Sequence, residues 1–239
     1  MSSFFYNLGK RAGPVFRKGR WVWSSLTGSE AEARRAERAV GRELAGRMRD
    51  RLGIDDDLQD RRLVEEIGFS LVAIERSADR EFSFEPLRGG GANAFALPGG
   101  FIFVTRALLD DCGRDRDELA FVLAHEIGHV VQGHALERLV GRSALSGVVR
   151  ALPAAGLLGR LAGRPSLALL ESAHSREQEY EADSVGVRLS MAAGFEPSGS
   201  SRFLERLVRP EGAVVAAYLA SHPHPEARIR RIKQARRRS

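Results

Sequence analysis

Apolar positions change their period twice along the chain. The string Ser29-Glu-Ala-Glu-Ala-Arg-Arg-Ala-Glu-Arg has a serine able to cap a helix and acids in the turn that follows, which predicts a helix to about Leu52. A second helical pattern runs from about Leu58 to Ser77. The spacing then shortens. Phe82 and Phe84 alternate with polar residues between Glu81 and Leu87, which predicts a strand. Ala92 to Leu97 and Phe101 to Thr105 predict two more short strands, joined by Pro98-Gly99-Gly100. Downstream the pattern returns to helices, with loops near Gly141, Pro165, Pro197, Pro210 and Pro223 and no internal repeat. The fold class expected is α+β, mainly helical with one small sheet.

A chain of 239 residues suits one domain with a sizeable core. With 43% hydrophobic and 28% charged residues it is not a disordered or low-complexity protein. The lone Cys112 excludes an internal disulfide framework and a cysteine-rich zinc cluster, and reads as an ordinary thiol. The formal charge of +6 invites a nucleic-acid reading until its placement is considered. The stretch to Ser29 carries five bases and no acid, and the stretch from Glu226 carries seven bases and one acid, so the body between them is net −5. Two basic ends around an acidic body, without a reader motif, give no reason to expect a specific nucleic-acid partner.

Residues 1–28 are set apart from the domain expected over 29–239. Phe4, Phe5, Tyr6, Phe16, Trp21 and Trp23 interleave there with Lys10, Arg11, Arg17, Lys18 and Arg20. Aromatic anchors among bases suit a membrane interface, and they equally suit docking on the protein's own body. No stretch has the make-up of a secretory signal or a spanning helix. The location expected is cytoplasmic, with peripheral contact at the inner face of a membrane through the N-terminal segment.

The chemistry centres on His125-Glu126-Ile127-Gly128-His129. Asp115 or Asp117 can cap a helix beginning just before it. From Leu119 to His134 the one formal charge is Glu126, and the apolar residues lie nearly all round, so the helix should be buried. A buried carboxylate between two imidazoles needs a reason, because an unpaired buried charge is costly. Four residues are about 400° of helical rotation, so His125 and His129 lie about 40° apart and one turn along. Both can reach one metal ion, and Glu126 can take a proton from water beside it, as in a zinc hydrolase.

Catalytic zinc takes a third protein ligand and keeps an open position. A histidine at 135 with a glycine at 132 would supply one pattern, but Ala135 and Gln132 stand there. His134 falls about 180° round the helix from His125 and is expected behind a ligand or at the helix end. The other source is Ser175-Arg-Glu-Gln-Glu-Tyr-Glu-Ala-Asp183. Ser175 with Gln178 fits a capping box, so a helix begins here. Glu179 and Asp183 share a face, which lets one bind metal while the other holds a histidine ligand from behind. Glu177 and Glu181 are rivals, and spacing does not choose among the three.

At this point the sequence resembles the HtpX, CAAX-prenyl-protease and Oma-type gluzincins, a family of zinc metallopeptidases. The likeness runs from about Asn93 to Arg230. It rests on Asn93-Ala-Phe-Ala-Leu-Pro-Gly-Gly-Phe-Ile-Phe-Val-Thr105, His125 to His129, Ser175-Arg176 with Glu179 to Asp183, and His222-Pro223 with Arg228-Ile229. The resemblance implies a zincin fold with the small sheet beside the His-Glu-x-x-His helix. It also implies one Zn2+ per chain, held by His125, His129 and Glu179 with Asp183 in support, and a protein or peptide substrate. Lacking spanning helices, the chain is similar to the soluble or peripheral, Oma-like members. Proteolysis in protein quality control, in a form that can be latent, is the expected activity. The alternative is a metal-containing client-binding protein that cuts little.

Two further blocks have physical readings. Asn93, Ala94 and Phe95 are expected on an edge strand that pairs with extended substrate through backbone hydrogen bonds. Arg228 or His222 is expected to stabilise the oxyanion of the tetrahedral intermediate. His222 has a second reading, occupation of the fourth zinc position in a closed enzyme.

Overall fold

The structure is a computed structural model that describes residues 30–75, 80–138, 173–208 and 216–236. The basic aromatic segment 1–28 and nearly all of the apolar, arginine-studded stretch from Ser143 to Ala173 lie outside the described residues. The elements are α1 (Glu30–Leu52), α2 (Leu58–Ile74), β1 (Ser83–Leu87), β2 (Ala94–Leu97), β3 (Phe101–Thr105), α3 (Arg106–Asp111) and α4 (Arg116–Val131). They continue with α5 (Arg176–Ala192), α6 (Ser198–Val208), α7 (Ala216–Ser221) and α8 (Pro225–Arg236). The architecture is α+β and mainly helical, as expected.

The sheet has three strands in the order β1-β3-β2, with β1 parallel and β2 antiparallel to β3. Alternation along the strands gives it two apolar faces. Leu87, Phe95, Leu97, Phe101 and Phe103 pack on Val40, Leu44, Ala45 and Met48 of α1. Phe84, Ala94, Ala96, Ile102 and Val104 join the larger core with α2, α4, α5 and α6. Each fully buried Phe, Leu or Ile contributes about 1.5–3 kcal/mol to this packing.

The Pro98-Gly99-Gly100 turn is held by α1. The Gly99 N–H donates to Glu37 Oε1 at 3.1 Å, and the Arg38 guanidinium sits over the Phe101 ring at 4.5 Å. Gly100 has φ +85°, and a Cβ there would lie 2.2 Å from the Glu81 carbonyl oxygen, so only glycine fits.

Three element ends differ from the sequence expectation. The helix from Leu58 stops at Ile74 rather than Ser77, because Val64, Ile67 and Leu71 are its last inward residues and Glu75 turns extended. The first strand starts at Ser83 rather than Glu81, where the Ser83 N–H donates to the Gly100 carbonyl. The second starts at Ala94 rather than Ala92: Ala92 is buried, but the Asn93 N–H donates to the Thr105 side chain instead of a strand carbonyl. Among the described residues no helix is long and apolar enough to cross a membrane.

Candidate metal centre

Asp115 caps α4, accepting from the N–H groups of Asp117 and Glu118. Ser175 caps α5 in a full capping box with Gln178. These two helices cross at close range because small residues meet. A Cβ on Gly128 would lie 3.0 Å from the Ala182 Cα, and one on Gly186 would lie 3.2 Å from the His125 backbone nitrogen. The crossing sets the acids of α5 beside the histidines of α4. The turn after α7 adds His222, and α8 adds Arg228.

All six of His125, Glu126, His129, Glu179, His222 and Arg228 are buried, as is Asp183. His125 Nε2 and His129 Nε2 lie 3.0 Å apart. The Glu179 carboxylate lies 3.5 Å from the first and 3.4 Å from the second. His222 Nδ1 lies 3.1 Å from Glu179 Oε1 and 3.3 Å from His125 Nε2, while its Nε2 lies 3.4 Å from Glu126 Oε1. Of the three rival acids, Glu177 is exposed and Glu181 turns to His134, 3.1 Å away. Glu179 is the acid that meets the histidine pair.

Behind the donors stands a charged brace. Asp183 Oδ1 lies 3.0 Å from His125 Nδ1, and Arg228 grips Asp183 with Nε at 2.9 Å and Nη2 at 2.6 Å. Arg228 Nη1 reaches Glu179 Oε2 at 2.8 Å. Burial would raise the Glu179 and Asp183 pKa values, but the Arg228 cation and the neighbouring imidazoles outweigh it and hold both below the usual carboxylate range. Burial pushes His129 well below an ordinary imidazole, so it presents a neutral ring. For His222 burial also lowers the value, yet Glu179 and Glu126 outweigh it and the net shift is upward. The guanidinium of Arg228 is committed to the two carboxylates with none of its surface exposed, a placement that does not match an oxyanion donor facing substrate.

The donors fit a zinc ion. Neither Glu126 oxygen nor His222 Nε2 has a hydrogen-bond partner among the described residues. Orphaned buried polar atoms are rare and point to a missing ligand or water. One donor atom each from His125, Glu126, His129 and His222 lie within 4.8 Å of one another, as do those of His129, His174, Glu179 and His222. Two imidazoles and a carboxylate are a zinc donor set.

Other expected residues divide. Asn93 reaches the margin of the site, its Oδ1 3.4 Å from Ser221 Oγ beside His222, while its backbone pairs with Thr105. Ala94 and Phe95 lie on β2, one of the two edge strands, but the Phe95 side chain packs toward α1. Cys112 is buried without a disulfide partner.

His134 stands behind His129, as expected, although not by way of a continued helix: α4 ends at Val131 and Gly133, at φ +78°, turns the chain. Its Nδ1 lies 2.9 Å from His129 Nδ1. His174 was missed. Its ring stacks on His129 at 3.7 Å, and its backbone N–H donates to the Ser221 carbonyl at 3.0 Å. No spacing rule marks a histidine just before a helix cap. Tyr218 stacks on His222 at 4.4 Å.

A buried His-Glu-x-x-His helix crossed by an acid-bearing helix is the arrangement of a metallopeptidase. The chain belongs to peptidase family M48, whose family model matches residues 57–236. It is 35% identical over 170 residues to the mitochondrial metalloendopeptidase OMA1 of Schizosaccharomyces pombe, covering 69% of this chain and 49% of that protein. It is 32% identical over 143 residues to OMA1 of Arabidopsis thaliana, covering 60% of this chain and 29% of that one. The beta-barrel assembly-enhancing protease of Escherichia coli is 30% identical over 182 residues, covering 70% and 37% respectively. The chain thus matches about half or less of the length of these relatives.

Proposed function

We propose that this chain is a zinc-dependent metalloendopeptidase acting on protein substrates. The observation that carries the reading is the convergence of His125 Nε2, His129 Nε2 and the Glu179 carboxylate within 3.5 Å, next to a Glu126 carboxylate without a hydrogen-bond partner among the described residues. His125, His129 and Glu179 would hold one Zn2+. When bound, zinc supplies a Lewis acid that polarises the scissile carbonyl and acidifies water. Glu126 takes the proton of the attacking water on a free carboxylate oxygen and delivers it to the leaving amine, help worth about 10²–10⁴-fold. Asp183 accepts from His125 Nδ1–H and so keeps the Nε2 lone pair facing inward. Arg228 locks Asp183 and Glu179 in place, a positioning role rather than a catalytic one. Asn93 and the β2 edge would align an extended substrate.

His222 favours a second state of the same enzyme. Its Nδ1 sits among the donors, 3.1 Å from Glu179 and 3.3 Å from His125, where an incoming substrate or water would sit. This supports a latent form in which His222 fills the fourth position, over a form in which it serves as oxyanion donor. The names of the relatives, a mitochondrial metalloendopeptidase and a beta-barrel assembly-enhancing protease, support protein substrates and a quality-control setting. Within the same reading, segment 1–28 is a peripheral membrane contact outside the peptidase domain of 29–239.

Cleavage of unfolded casein with and without a chelator tests the activity. Cleavage should stop on chelation and return with added zinc, and chelator-resistant cleavage would contradict the reading. His222→Ala should cleave faster than the wild type. Slower cleavage would return His222 to the catalytic role.

A further inference from the structure

The two histidines of α4 are backed in different ways. His125 Nδ1 meets a carboxylate directly, Asp183 at 3.0 Å. His129 Nδ1 meets another imidazole, His134 Nδ1, at 2.9 Å, and His134 Nε2 lies 3.1 Å from Glu181 Oε2. We infer that His134 and Glu181 are positioning residues that fix His129 for metal binding through a two-step hydrogen-bond relay. The inference rests on reading His129 as a zinc ligand.

The tautomers follow from counting nitrogens. His129 faces the donor cluster with Nε2, 3.0 Å from His125 Nε2, so a lone pair must sit there and the ring proton on Nδ1. That proton is donated to His134 Nδ1, which must then be bare. The His134 proton is left on Nε2 and is donated to the Glu181 carboxylate. Each step requires the next, so a carboxylate two rings away sets the lone pair presented at the cluster. A neutral imidazole has one donor and one acceptor, and His134 is used on both.

The backbone builds this relay from two local features. Gly133 at φ +78° swings His134 back over the end of α4, where a continued helix would carry it away. On α5, Glu181 is two residues past Glu179 and so leaves the donor face. Glu181 keeps 31% of its side chain exposed, while His134 is fully buried. The relay therefore runs from the donor cluster to the protein surface. Substituting the outer partners of liganding histidines costs about 10–100-fold in metal affinity.

The test is zinc affinity of the full chain, measured by competition with a chromogenic chelator. The variants are Glu181→Gln, His134→Phe, both together, and the exposed control Glu177→Gln. His134→Phe keeps a ring in the buried space and should weaken zinc binding about 10–100-fold, with Glu181→Gln toward the lower end of that range. The double variant should bind no more weakly than His134→Phe alone, because the relay is already cut. Glu177→Gln removes the same charge from the same helix and should match the wild type. A Glu181→Gln affinity equal to that of Glu177→Gln would overturn the relay, as would single effects that add in the double variant. Should His134→Phe fail to fold, the two glutamate variants decide alone. A wild type whose zinc affinity is unchanged by His129→Ala would overturn the metal reading itself, and the relay with it.

Discussion

Two interiors of this molecule are packed with different materials. Between α1 and the sheet, Leu44, Met48, Phe95, Leu97, Phe101 and Phe103 form a hydrocarbon layer. Between α4, α5 and α8, the buried space holds His125, Glu126, His129, Glu179, Asp183, His222 and Arg228. The first layer gains free energy from every apolar surface it removes from water. The second gives some of it up, since buried ions seldom recover their desolvation cost. The difference assigns tasks: α1 and the sheet give rigidity, and the polar layer uses that rigidity to hold charged groups where water would otherwise scatter them. β3 and β2 connect the layers, with Phe101 and Phe103 on one face and Ile102 and Val104 on the other.

The comparison can be broken from either side. Arg228→Met leaves Asp183 and Glu179 buried without their cation. Breaking a buried pair in this way costs about 3–5 kcal/mol. Zinc should stabilise this variant more than it stabilises the wild type, because the divalent ion compensates the same carboxylates. Thermal unfolding of both proteins with and without zinc reads the difference, and an equal zinc effect would show that the two layers do not differ as described. Phe103→Ala empties part of the hydrocarbon layer and should cost about 3–5 kcal/mol as well. Here zinc should add only what it adds to the wild type, and cleavage per folded molecule should stay unchanged. A fall in cleavage rate without a fall in stability would mean that the layers are coupled.

The smallest effect belongs to a boundary residue. Asp115→Ala removes the cap of α4 and should cost about 0.5–2 kcal/mol at neutral pH. Burial works to raise the Asp115 pKa, but the Glu118 N–H and Arg202 outweigh it and hold the carboxylate below its ordinary 3.8. Its contribution is therefore complete above pH 3.8 and is lost as the pH falls through the lower folded value. Denaturant titrations of the two proteins should differ at pH 7 and converge in strong acid.

What the sequence made legible follows from how local each feature is. β3 came out at its expected bounds, Phe101–Thr105, because a short unbroken apolar run after Pro98-Gly99-Gly100 is a property of that stretch alone. The end of α2 was missed because it depends on where the partner surface stops. His125 and His129 are readable because four residues on one helix fix their geometry. Glu179 could not be chosen over Glu177 and Glu181 from spacing, because the facing side of α5 is set by the Gly128–Ala182 approach. That choice came from the family resemblance. The brace of Arg228 on Asp183 and Glu179 spans 45 and 49 positions of chain, and the stacking of His174 on His129 likewise depends on the tertiary fold.

The central claim is that Glu126 does proton chemistry beside a zinc ion it does not help to hold. Metal content and peptide cleavage measured on the same preparations of wild type and Glu126→Gln test it most directly. The account predicts one zinc per chain in both proteins and cleavage reduced about 10²–10⁴-fold in the variant. Cleavage at the wild-type rate, or a variant that has lost its zinc, would contradict it.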